Sequence, residues 1–243
     1  MCSDVSMVGL QGIPPPWIWE AVTRSMPNRS SRLRVVALGD SLTVGFQSYG
    51  LDAAAWMPTP YTDFLVDKVG LDFASGSLSV EIINKGIVGE LSEQMVARFD
   101  SDVIQLSPRV VIILGGSNDL GWGIAPKEIL QNLSTMYRLA RENQITPIAC
   151  SVPSILGYDE GIPPRIVLNR LLQEHCREIG IRCVDVFRAT LDKDTNRLAL
   201  QFSSDGLHLN SDGYRKMGAT IYEEALRPVL RVLFDRDLSS GDG

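Results

Sequence analysis

Leu33-Arg34-Val35-Val36-Ala37-Leu38-Gly39-Asp40-Ser41-Leu42 is the stretch on which the fold turns. Leu33–Leu38 is an apolar run broken only by Arg34, and a run of this kind suits a parallel strand covered on both faces. A glycine and two small polar residues end it. The same pattern returns at Val80–Asn84, Val110–Leu114, Ile145–Val152 and Arg182–Phe187. Between these runs lie helical patterns at Pro60–Val69, Leu91–Gln105, Pro126–Asn143 and Pro164–Ile179. A last one runs from Ser211, a plausible N-cap, to about Phe234. Strand alternating with helix implies right-handed crossovers and an α/β, doubly wound sheet of about five parallel strands.

The chain has 243 residues, 44% hydrophobic and 21% charged, a composition that excludes wholesale disorder. Its length fits one large α/β domain, expected over 32–236, with an irregular N-terminal arm at 1–31 and a polar tail at 237–243. Net charge is −6, which argues against a nucleic-acid partner, because neutralising phosphates needs clustered Lys and Arg. No apolar run approaches the ~18 residues of a membrane span. The four cysteines, Cys2, Cys150, Cys176 and Cys183, form no CxxC pair and have no histidine at metal-ligand spacing, so no metal site is expected. Cys150 and Cys183 read as small buried thiols. Met1–Leu10 lacks the basic region and apolar core of a signal peptide, which makes a cytoplasmic protein the expectation.

In an open α/β sheet, ligands bind outside the carboxyl ends of the strands. The first strand ends in Gly39-Asp40-Ser41, the second leads into Gly86-Ile87-Val88-Gly89, and the third into Gly116-Ser117-Asn118-Asp119. Asp205-Gly206-Leu207-His208 precedes the last helix. Of the two histidines, His175 falls inside a helical pattern and reads as an ordinary helix residue. His208 lies among loop residues, with Asp205 three positions earlier. A carboxylate holding Nδ1–H leaves Nε2 free to accept a proton, which makes the ring a general base. Ser41 is the matching nucleophile, since serine needs an adjacent base to take its proton. Backbone N–H at Gly89 and the side-chain amide of Asn118 are candidate donors for an oxyanion. Asp40, beside Ser41, reads as a residue that ties the loop by hydrogen bonds.

These blocks together resemble the SGNH hydrolases, the GDSL family of esterases and lipases. Gly39-Asp40-Ser41-Leu42 matches the first block, Gly116-Ser117-Asn118-Asp119 the GxND block, and Asp205-Gly206-Leu207-His208 the DxxH block. The second-block glycine falls on Gly89, with Gly86 the other candidate. Two positions depart from common members: Leu209 stands where many have Pro, and Glu90 where a smaller acid is common. Neither falls on a residue with an assigned role. The resemblance implies a flavodoxin-like three-layer α/β/α sandwich and a Ser41–Asp205–His208 triad. It further implies an oxyanion hole formed by the Ser41 N–H, the Gly89 N–H and the Asn118 amide, with no cofactor or metal.

The substrate class is less marked. Trp56, Met57 and Trp122 are candidate pocket residues, and the Ile155–Pro164 connection a candidate wall. With no large apolar lid legible, small soluble carboxylic esters with acetyl or short acyl groups are the expected substrates. An acyltransferase, thioesterase or lysophospholipase on the same triad, or a non-catalytic binding module, is the alternative. The Pro14–Trp19 segment of the arm reads as a cover for one face of the domain, with an oligomer contact as the alternative, and a homo-oligomer is left open.

Overall fold

The computed structural model describes residues 32–48, 58–73 and 79–239, with side chains through Asp235. The arm at 1–31, with its Pro14–Trp19 segment, lies outside the described residues, as do Trp56 and Met57. Five strands form the sheet: β1 (Arg32–Gly39), β2 (Ser79–Gly86), β3 (Val110–Leu114), β4 (Thr146–Cys150) and β5 (Arg182–Val184). All pair in parallel, in the order β2-β1-β3-β4-β5. Register is fixed along the centre, with Val35 opposite Val110 and Gly39 opposite Leu114. The chain moves from β1 to β2 on one side, then crosses back to β3 on the other. That reversal opens a crevice outside the ends of β1 and β3.

The helices are α1 (Ser41–Val44), α2 (Tyr61–Phe73), α3 (Ser92–Ala97), α4 (Phe99–Asp102) and α5 (Ser117–Gly121). They continue with α6 (Pro126–Glu142), α7 (Ile162–Glu178), α8 (Val186–Thr190), α9 (Ser211–Ile221) and α10 (Arg227–Ser239). Side chains alternate across a strand, and the two cores follow from that period. Leu33, Val35 and Ala37 of β1 join Val110, Ile112 and Leu114 of β3 on one face, against α2, α9 and α10. Val36 and Leu38 join Val111 and Ile113 on the other, against α3, α6 and α7. The result is the expected three-layer α/β/α sandwich.

Four elements differ from the sequence pattern. β2 is an edge strand, only half-buried, flanked by ion pairs from Arg32 and Arg34 to Glu81. The helix expected over Leu91–Gln105 is broken at Arg98, whose φ of −100° and ψ of 5° leave the helical region. Its guanidinium instead caps the carbonyls of Gly39 and Lys85 at two strand ends. β5 stops at Val184, because Asp185 accepts the Arg188 N–H at 3.0 Å and starts α8. The final helix is capped by Asn210, which accepts the Gly213 N–H at 2.9 Å, so Ser211 is its first residue. It widens into π-helical turns at Tyr222–Leu226 and continues to Ser239, beyond the domain end expected at 236. His175 lies in α7, as expected, 2.9 Å from the Ser134 hydroxyl. Cys150 and Cys176 are buried thiols, and Cys183 is half-buried.

Candidate active site

Ser41 sits on a sharp elbow between β1 and α1. At Gly39 a Cβ would stand 2.5 Å from the Leu114 carbonyl oxygen, so only glycine lets β1 pass β3 there. Asp40 then caps α1, its Oδ1 accepting the Leu42 N–H at 2.9 Å. This is the loop-tying role read for Asp40 from the sequence. Ser41 becomes the first residue of the turn, with its hydroxyl directed at the loop before α9.

Ser41 Oγ lies 2.9 Å from His208 Nε2. On the other side of the ring, His208 Nδ1 lies 2.8 Å from Asp205 Oδ2. The second carboxylate oxygen, Oδ1, accepts the N–H groups of Leu207 at 2.9 Å and His208 at 2.7 Å. A carboxylate can only accept, so Nδ1 carries the ring proton and Nε2 presents a lone pair to the serine. Burial alone would raise the Asp205 carboxyl, but the hydrogen bonds from the His208 ring, the His208 N–H and the Leu207 N–H hold it below the usual range. The Phe46 ring packs at 4.6 Å from the imidazole, tilted by 56°.

The two candidate glycines differ in their surroundings. A Cβ on Gly86 would meet the Val44 backbone nitrogen at 2.5 Å, a packing constraint at the end of β2. Gly89 has a φ of +77° and open space on its Cβ side. Its N–H finds no acceptor among the described residues. Asn118, the second residue of α5, donates one amide N–H to the Glu90 carbonyl at 2.9 Å. An amide nitrogen has two hydrogens, so one stays available.

Further groups at this end of the sheet carried no clear signal in the sequence. Asp119 is 1% exposed and accepts both the N–H and the hydroxyl of Ser92, fastening the start of α3 to α5. Asn132 from α6 donates to the same hydroxyl at 2.9 Å. Glu90, read from the sequence as a departure without a role, is buried in a two-pronged ion pair with Arg98. Arg165 of α7 is 4% exposed and donates to the Gly161 carbonyl at 3.0 Å and the Ser117 hydroxyl at 3.2 Å. Burial lowers Arg165 to about 10, with Asp40 pulling the other way. Asp40 itself is pushed up to about 7 by burial, against the Leu42 N–H, with Asp119 and Glu90 adding repulsion. Apart from the Gly161–Arg165 bond, these side-chain partners lie on separate elements, and no local spacing announces them.

Beside the serine–histidine pair lies a cleft of about 600 Å³ lined by Asn118, Trp122, Tyr158, Arg165, Asp205 and Leu207, with much of the Ile155–Pro164 connection as its wall. Of the three pocket residues read from the sequence, Trp122 is therefore at the cleft, 79% exposed. Among the described residues no group of three or more His, Cys, Asp or Glu side chains is arranged to hold a metal ion. No described helix is long and apolar enough to cross a membrane.

The model of the GDSL-like lipase/acylhydrolase family matches residues 37–216, which is most of the chain. An arylesterase of Vibrio mimicus is 32% identical over 110 residues, 45% of this chain and 50% of the relative. A Neurospora crassa protein carrying an oxidoreductase name (bli-4, mitochondrial) is 29% identical over 118 residues, 48% of this chain and 27% of the relative. The chain thus spans half or less of the length of these two relatives, and most of the Neurospora protein is unmatched. Among solved structures, a GDSL-like lipase from Bacteroides thetaiotaomicron is 24% identical with a TM-score of 0.62, covering 85% of this chain and 94% of its own. An acetylxylan esterase from Geobacillus stearothermophilus is 19% identical with a TM-score of 0.68, covering 80% and 94%. At these identities the two structures speak for the fold. The chain belongs to the GDSL-like lipase/acylhydrolase family.

Proposed function

We propose that the chain hydrolyses small soluble carboxylic esters through an acyl-enzyme on Ser41. The observation that carries this reading is the hydrogen-bond chain from Ser41 Oγ through the His208 ring to Asp205, at 2.9 Å and 2.8 Å. His208 Nε2 takes the serine proton as Oγ attacks the ester carbonyl. The carbonyl oxygen, now negative, is held by the N–H groups of Ser41 and Gly89 and by the free amide hydrogen of Asn118. His208, momentarily cationic against Asp205, returns its proton to the leaving alcohol. The same ring then activates water, whose attack on the acyl carbon releases the acid and regenerates Ser41.

The size of the cleft supports small substrates. Its volume of about 600 Å³ lies within the range of small-molecule sites, and its walls mix apolar Trp122 and Leu207 with polar Arg165. Acetyl and short acyl esters suit it, and acetylated sugars stand among them by analogy with the acetylxylan esterase. Hydrolysis of p-nitrophenyl esters from acetate to palmitate tests this. Turnover is expected for the short chains and should be lost in Ser41→Ala. Undiminished activity in that variant, or activity confined to the long chains, contradicts the reading.

A further inference from the structure

Resting on the hydrolase reading above, we infer that Arg98, acting through Glu90, is the positioning residue that holds both the Gly89 and Asn118 donors of the oxyanion site. The loop after β2 carries Gly89, yet the two apolar side chains ahead of that glycine do not hold it. Ile87 is 47% exposed and Val88 is 53% exposed, so neither anchors the loop in the core. Gly89 has no side chain and a left-handed backbone. Apart from backbone and cap hydrogen bonds, what fastens the far side of this loop is the side chain of Glu90.

That side chain meets a guanidinium with five acceptors around it. Arg98 Nε donates to Glu90 Oε1 at 2.6 Å, and Nη2 donates to Glu90 Oε2. Nη2 also reaches the Lys85 carbonyl at 2.9 Å and the Gly39 carbonyl at 3.2 Å, at the ends of β2 and β1. Nη1 donates to Asp102 Oδ2 at 2.8 Å. The Arg98 and Glu90 side chains are 13% and 5% exposed, so solvent screens the pair little. Arg98 thus references the loop to the two strand ends beside the nucleophile. Glu90 passes that reference on in two directions. Its peptide joins it to Gly89, and its carbonyl takes the amide of Asn118 at 2.9 Å. One ionic fork therefore fixes two of the three proposed donors.

A displaced donor weakens the transition state more than the ground state. The test compares wild type with Arg98→Gln, Arg98→Lys and Glu90→Gln, using p-nitrophenyl acetate and an alkyl boronic acid that forms a tetrahedral adduct on serine. Arg98→Gln should lower kcat by roughly 10–100-fold, somewhat less than outright removal of a donor. KM should stay within about threefold, and the boronic acid inhibition constant should rise in step with the loss in kcat. Arg98→Lys should recover little, because an ammonium cannot form the fork. Glu90→Gln keeps the shape and loses the charge; it should shift kcat and inhibition in the same direction, and it serves if Arg98→Gln does not fold. Unchanged kcat and inhibition in Glu90→Gln, or a raised KM at constant kcat, overturns the inference. Wild type without turnover contradicts the hydrolase reading itself, whereas an active wild type with an indifferent Glu90→Gln contradicts only the role of Arg98.

Discussion

At the scale of single residues, the proposed site separates groups that move protons from groups that fix geometry. Asn118 spends one amide hydrogen on the Glu90 carbonyl and keeps the other. Asn118→Ala is therefore expected to lower kcat by about 10²–10³ with little change in KM, as steady-state kinetics would read. A rise in KM alone would remove Asn118 from the oxyanion role. Asp40 makes a different prediction. Its carboxyl is pushed up to about 7 in the folded chain from an ordinary 3.8, chiefly by burial. Between those values the folded state binds more protons than the unfolded one, so this group's contribution to stability is full below pH 4 and is lost as pH rises through 7. Asn caps a helix as well as Asp does and cannot ionise. Wild type should thus lose more thermal stability between pH 5 and 8 than Asp40→Asn does; parallel melting curves would contradict the assignment.

At the scale of elements, short pieces of backbone aim the reactive groups. The Asp205–His208 segment is held from below by Asn210, which caps α9 through Gly213 and donates to the carbonyls of Gln201 and Ser203 at 2.9 Å and 3.3 Å. Asn210→Ala should cost about 1 kcal/mol, within the 0.5–2 range of cap removals, as measured by denaturant unfolding. A neutral substitution would mean that neighbouring bonds take over the cap. Elements also mark how far the sequence could be read. Val110–Leu114 was legible to the residue because a β-branched run buried on both faces leaves one interpretation. Leu91–Gln105 was not: its apolar positions keep helical spacing, while the break at Arg98 is set by carbonyls contributed by β1 and β2. Ser211 looked like a cap for the same reason that Asn210 is one, and the choice between neighbours depends on side-chain direction.

For the molecule as a whole, strand order brings the parts of the site together from positions far apart in the chain. β1 delivers Ser41, the loop after β2 delivers Gly89, β3 delivers Asn118, and the segment before α9 delivers Asp205 and His208. The serine and histidine are 167 residues apart and 2.9 Å apart in space. The proposed reacting groups could be singled out in the sequence because each lies in a short local motif whose chemistry is recognisable without the fold. Their supports were not, because Arg98 and Glu90, or Asp119, Ser92 and Asn132, become partners only when different elements pack. Glu90 is the clearest case: it read as a harmless departure, and in the structure it anchors the loop that carries Gly89. The most direct test of the account is the site of covalent capture. Intact-mass and peptide mapping after reaction with diisopropyl fluorophosphate should find one adduct, on Ser41, formed far more slowly in His208→Ala and absent in Ser41→Ala. An adduct on another residue, or an enzyme whose ester hydrolysis survives with Ser41 unlabelled, would contradict it.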